Sequence, residues 1–160
     1  MTLFRAITES AESAGGIILQ FPFYAGIMGI MTGTVTEGGP SLAGVISNFF
    51  VAISNDVTFP LFTFLSAGIV NFFVPSGGGQ WAVQAPIVLP ASVQLGVSPA
   101  LSCMAIAWGD AWTNLLQPFW ALPALGIAGL GARDIMGFCV VDLILSGIIV
   151  CVTFIVVGLM

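Results

Sequence analysis

The sequence predicts an all-α integral membrane protein containing a re-entrant hairpin and a discontinuous helix. Three observations carry that prediction. Hydrophobic residues make up 58% of the 160-residue chain and charged residues only 6%, with mean hydropathy +1.13, so there is far too little charge to clothe a water-facing surface. The run Asn71-Phe72-Phe73-Val74-Pro75-Ser76-Gly77-Gly78-Gly79-Gln80-Trp81 places three glycines, a proline and several polar side chains between two short apolar arms, with no charge between Asp56 and Asp110. A second run, Gly109-Asp110-Ala111-Trp112-Thr113-Asn114, interrupts a later apolar segment with poor helix formers.

Net charge is −5 with only two basic residues, which excludes a nucleic-acid footprint and a polybasic membrane-surface role. With no histidine, the common Ser-His and metal-His arrangements are absent. The triple glycine lacks the Gly-Lys-Ser/Thr ending of a phosphate loop. Neither an enzyme nor a resident cofactor is expected. Cys103, Cys139 and Cys151 are scattered through apolar segments without CxxC spacing and read as small buried hydrophobes.

Residues 1–14, with Arg5, Glu9 and Glu12, read as a polar lead-in rather than a cleaved leader. Residues 15–35 carry no charge over 21 positions, close to the ~20 needed to cross the hydrocarbon core. Gly26, Gly29 and Gly33 put small residues on one face of that span, suited to close helix packing in lipid. After the turn Thr36-Glu37-Gly38-Gly39-Pro40, residues 41–54 are too short for a comfortable crossing and read as an interfacial helix.

Residues 57–97 hold the hairpin. Its arms, 57–70 and 82–97, contain 14 and 16 residues, each short of a full span. Irregular backbone at membrane depth is tolerated only where it is buried in protein or lines a water-filled cavity. The alternative is two distorted crossings joined by an aqueous loop. Residues 99–130 form the broken helix, with the break expected at Gly109 to Asn114 because Pro118 has no donor for the carbonyl of Asn114. Residues 135–158 are a last span, interrupted by Asp142. If Arg5 and Arg133 are cytoplasmic, the hairpin enters from the outside.

Broken membrane elements expose free N–H groups at helix N-termini, which suit an anion, and free carbonyls at C-termini, which suit Na⁺ or a proton carrier. The candidate substrate and ion ligands are Asn71, Ser76, Gly77, Gly78, Gly79 and Gln80 at the hairpin tip, with Asp110, Thr113 and Asn114 across the break. An acid at mid-bilayer costs at least ~2.5 kcal/mol. Asp110 has no basic residue close in sequence, so it is expected to cap the following half-helix, bind Na⁺ or a proton, or meet a partner segment. Asp142 is a weaker candidate. Trp81 and Trp112 flank the breaks and are candidate walls of the site.

Three segments, Gln20 to Met28 (QFPFYAGIM), Asn71 to Trp81 and Trp108 to Trp120 (WGDAWTNLLQPFW), closely resemble the bacterial short-chain fatty acid transporters. The Asn-Phe-Phe-x-Pro-Ser-Gly run is more loosely similar to C4-dicarboxylate carriers of the wider ion-transporter group. The first resemblance implies a multi-pass protein of the bacterial inner membrane that carries small carboxylates such as acetoacetate or butyrate, coupled to Na⁺ or H⁺. It also implies two inverted repeats, each with a re-entrant hairpin and a broken helix, meeting at a central site with elevator-like access. This chain matches the C-terminal repeat only, so the expected partners are lipid, the missing N-terminal repeat or a second chain, and further copies of itself. A C4-dicarboxylate carrier, or a structural membrane subunit whose glycines serve only packing, are the alternatives.

Overall fold

The computed structural model describes residues 3–34 and 36–160, without the side chains at 13, 16, 17, 20, 21, 118 and 119. Val35, read as the end of the first span, and the side chain of Gln20 lie outside the described residues. Among the described residues the structure is helical, with no strand. The order is α1 (Leu3–Thr32), α2 (Leu42–Ala52), α3 (Phe59–Phe73), α4 (Gly77–Gln94), α5 (Pro99–Thr113), two 3₁₀ turns (Asn114–Leu116 and Pro118–Ala121), α6 (Leu122–Ala128) and α7 (Ala132–Gly158).

The polar lead-in and the first apolar segment form one continuous helix, α1. The lead-in can stay helical because Arg5 and Glu9 pair at 3.0 Å one turn apart, and its other side chains are free to face outward. Helix α2 opens on Ser41, whose hydroxyl accepts from the Gly44 N–H at 3.1 Å. The turn before α3 is organised by Asn55, whose Oδ1 accepts from both the N–H and the hydroxyl of Thr58 at 2.9 Å, and Pro60 then sits in the first turn of the helix.

The expected arms, 57–70 and 82–97, are extended toward each other: α3 runs to Phe73 and α4 starts at Gly77. The three glycines therefore form the first turn of α4, and only residues 74–76 are irregular. The two helices are about 22 Å and 27 Å long at 1.5 Å per residue. Pro86 and Pro90 lie inside α4 without ending it. The most extensive helix contact is between α3 and α5, while α2 lies against both α3 and α4. Phe59, Ala67, Val88 and Ile106 form one buried cluster of these helices. A second, Phe64, Ala105 and Phe154, joins α3 and α5 to α7.

The expected break in the fourth apolar segment is displaced. Gly109, Asp110 and Thr113 lie within α5, and regular α-helix stops at Asn114. Glycine at 109 is required there by packing rather than by unwinding. A Cβ on it would collide with the Phe64 carbonyl oxygen and come within 2.6 Å of the Ala67 Cβ. The chain departs from helix where Pro118 removes the donor. The Asn114 carbonyl accepts instead from the Gln117 N–H at 3.2 Å and from Trp120 Nε1 at 2.9 Å.

The outer faces are apolar. Phe138, Ile148 and Ile149 on α7 are 76%, 59% and 66% exposed, and α7 is the one helix among the described residues long and apolar enough to cross a bilayer. Such faces are compatible with hydrocarbon and costly in water.

Candidate functional site

The end of α3, the start of α4 and the stretch from Asp110 to Trp120 enclose a cavity of about 340 Å³. It is lined by Asn71, Pro75, Ser76 and Gly77 from the hairpin and by Asp110, Asn114, Gln117 and Trp120 from across the bundle. The two runs singled out in the sequence, residues 71–81 and 109–114, therefore face each other.

Asn71 joins them. It is 1% exposed, and its Nδ2 donates toward the Asp110 carbonyl at 2.7 Å, Thr113 Oγ1 at 3.0 Å and Asn114 Oδ1 at 3.0 Å. The Thr113 hydroxyl in turn donates to the Gly68 carbonyl at 2.9 Å, so the pair fastens the last turn of α3 to the last turn of α5. Helix α3 ends there because Val74 leaves helical geometry at φ −122°, ψ 73°, and the residue before a proline is held to extended backbone.

Ser76 is the N-cap of α4. Its backbone is extended, and its hydroxyl accepts from the Gly79 N–H at 3.3 Å. That leaves the N–H groups of Gly77 and Gly78, in the first turn, without a partner inside the helix. A Cβ on Gly77 would lie 3.8 Å from Asp110 Oδ2, and one on Gly78 would meet nothing within 4 Å. The tip is open on this side.

Two candidates from the tip turn elsewhere. Gly79 faces Met28, whose sulfur would lie 3.5 Å from a Cβ there. Gln80 is fully buried, and its Nε2 donates to the Ala67 carbonyl at 2.9 Å and to Gln84 Oε1 at 2.8 Å. Gln84 passes the chain on, with Nε2 donating to Ser47 Oγ at 3.1 Å and Ser66 Oγ at 3.2 Å. Gln80 thus belongs to a buried polar seam between α2, α3 and α4 rather than to the cavity wall.

The tryptophans are also sorted. Trp112 packs on Phe64 at 4.8 Å between ring centres and donates Nε1 to the Leu143 carbonyl at 2.8 Å. It ties α5 to α7 and does not line the cavity, and neither does Trp81. Trp120 does line it. Asp142 lies on an exposed face of α7, away from the site.

The chemistry of the cavity is set by buried polar atoms that lack partners. Among the described residues these are Asn71 Oδ1, Asp110 Oδ1 and Gln117 Nε2, all on lining residues, and Gln80 Oε1 in the seam. An unmet buried polar group costs about 1–3 kcal/mol, so such a concentration around one cavity marks a place where something else supplies the partners. Two of the three are acceptors, one of them a carboxylate oxygen. The sequence signal for Gln117 is a polar residue beside Pro118 in an otherwise apolar stretch, weaker than the more polar run upstream.

Among the described residues, an all-helical structure with apolar outer faces and one helix able to cross a bilayer is consistent with a membrane protein. Residues 1–157 match the family described as short chain fatty acid transporter, and the chain belongs to that family. It is 52% identical over 149 residues to a provisionally named short-chain fatty acid transporter of Escherichia coli (strain K12). It is 51% identical over 146 residues to a similarly named protein of Haemophilus influenzae. These alignments cover 93% and 91% of this chain but only 32% and 31% of the relatives, so the chain spans about a third of their length. A provisionally named basic amino acid antiporter of E. coli, YfcC, is 28% identical over 138 residues, covering 83% of this chain and 27% of its own. No solved structure matches significantly.

Proposed function

We propose that this chain supplies part of the translocation site of a secondary transporter for short-chain monocarboxylates of the acetoacetate and butyrate type. In this reading α3 and α4 are a re-entrant hairpin, and α5 with α6 is a discontinuous helix. The site is completed by the N-terminal repeat of a longer product or by a second chain, within an oligomeric, multi-pass protein of the bacterial inner membrane. The observation that carries it is the cavity between Asn71, Ser76, Gly77, Asp110 and Asn114, with unpartnered acceptors on Asn71 and Asp110 and first-turn N–H groups of α4 at its edge. Acceptors suit a coupling Na⁺ or proton, and helix N–H groups suit a carboxylate.

Thr113 acts here as a positioning residue, holding Asn71 toward the cavity. Gly78 and Gly79 keep the tip free of side chains, and Gln80 anchors the hairpin from behind.

The test is uptake of labelled butyrate and acetoacetate by the full-length protein in proteoliposomes, with Na⁺ and proton gradients imposed separately. Uptake is expected to depend on one of the two gradients. It should fall at least tenfold in Asp110→Ala, since an interaction with an ion at a buried carboxylate is worth more than an ordinary hydrogen bond. Full uptake in both Asp110→Ala and Ser76→Ala would refute the site. Competition by lysine but not by either acid would refute the substrate class and favour the basic amino acid chemistry named for YfcC.

A further inference from the structure

Gln117 plays no part in the reading above, yet among the described residues it is the one cavity-lining side chain whose unpartnered atom is a donor. It is 6% exposed. It sits between the two 3₁₀ turns with an extended backbone, φ −111°, ψ 97°, and this takes its side chain out of the helical register of its neighbours. Its backbone N–H is already used on the Asn114 carbonyl. What remains is a buried side-chain amide with no acceptor, on a cavity that also carries two acceptors without donors.

Those two kinds of unmet group do not bond to each other. A single hydroxyl or protonated carboxyl brings one proton, so it can accept from Gln117 Nε2 and donate to one of the two acceptors but leaves the other unmet. A carboxylate accompanied by a cation satisfies the whole set. The cation goes to Asn71 Oδ1 and Asp110 Oδ1, and the carboxylate oxygens go to the donors. The donors available at this cavity are Gln117 Nε2 and the first-turn N–H of Gly77 at the start of α4, with that of Gly78 next to it in the same turn.

We propose that Gln117 is the side chain that recognises the carboxylate of the cargo, with the first-turn N–H groups of α4 as the second half of the same grip. The proposal rests on the carrier reading above. It gives the carboxylate neutral donors in place of a fixed positive charge, which fits a monoanion better than a dianion. It also assigns Trp120, which lines the same cavity and is held by its bond to the Asn114 carbonyl, as the apolar wall beside the short acyl chain.

The experiment compares Gln117→Met, which keeps the length and removes the donor, with Gln117→Glu, which keeps the shape and adds a repelling charge. Both are made in the full-length protein in proteoliposomes, with labelled butyrate as the probe. The KM for butyrate is expected to rise roughly tenfold or more in Gln117→Met, the loss of one hydrogen bond to a charged group, and further in Gln117→Glu. Stabilisation of the protein against heating by NaCl alone should be unchanged in both, because the cation ligands are untouched. A KM within twofold of the unmodified protein in either variant would overturn the proposal. So would a fall in Vmax or thermal stability with KM unmoved, the signature of a structural role. Failure of the unmodified protein to take up either butyrate or acetoacetate would instead overturn the carrier reading, and this proposal with it.

Discussion

Replacing Gly109 by alanine sets two opposing effects against each other. In a helix interior alanine is favoured over glycine by about 0.8–1 kcal/mol. At this position, however, the added methyl would overlap the Phe64 carbonyl oxygen and stand 2.6 Å from the Ala67 Cβ and 3.0 Å from the Gly68 nitrogen. Carbon atoms prefer separations of about 3.5–4.0 Å, so α3 and α5 would have to move apart by about 1 Å. Backbone and Cβ atoms cannot rotate away, so relief comes only by shifting whole helices, and overpacking of this kind costs about 1–3 kcal/mol. The steric term offsets the propensity gain, and Gly109→Ala should be neutral to destabilising, by about 0–2 kcal/mol. Gly137→Ala on α7 is the control, because a Cβ there meets nothing within 4 Å and only the propensity gain remains. Thermal unfolding in detergent, followed by tryptophan fluorescence, reads both. Stabilisation of Gly109→Ala to the same degree as Gly137→Ala would refute the argument that glycine is there for close approach.

Two further outcomes follow from the polar contacts. A double-mutant cycle between Asn71→Leu and Thr113→Val should give a coupling of about 0.6 kcal/mol, the mean for hydrogen bonds measured this way in a membrane protein, and at most about 1.7 kcal/mol; strictly additive unfolding free energies would exclude the bond as a structural tie. Gln84→Leu should cost about 1–3 kcal/mol, because Gln80 Nε2, Ser47 and Ser66 all lose a partner. Its KM for butyrate should stay unchanged, and a raised KM would mean that the seam belongs to the site.

Much of the architecture was legible because its causes are local. A chain with hardly any charge cannot have water as its main solvent, and Pro75 keeps the residue before it out of helical backbone and so ends α3. The second break was legible at its Asn114 end, where Pro118 removes the donor, but not in its extent. Gly109 and Asp110 are poor helix formers in isolation, but Gly109 is held in helix by its packing against α3, and the loss of a donor at Pro118 has its effect four residues back, at Asn114. Local propensity is a weak prior that tertiary packing overrides.

The same division holds for the site. Composition was enough to point to an all-helical membrane protein, and the two polar runs to a place where polar residues need partners, since each polar residue in hydrocarbon must find one. They were also enough to nominate Asn71, Ser76, Gly77, Asp110 and Asn114, all of which line that cavity. Tertiary structure alone decided between the two glutamines. Gln80 stands at the tip in sequence, but one helical turn carries it to the face of α4 that packs on α2 and α3. Gln117 stands beyond the run, and an extended residue between two 3₁₀ turns brings it to the cavity. Facing is a property of helix rotation and of the neighbour on each side, and neither is written in the residue types themselves.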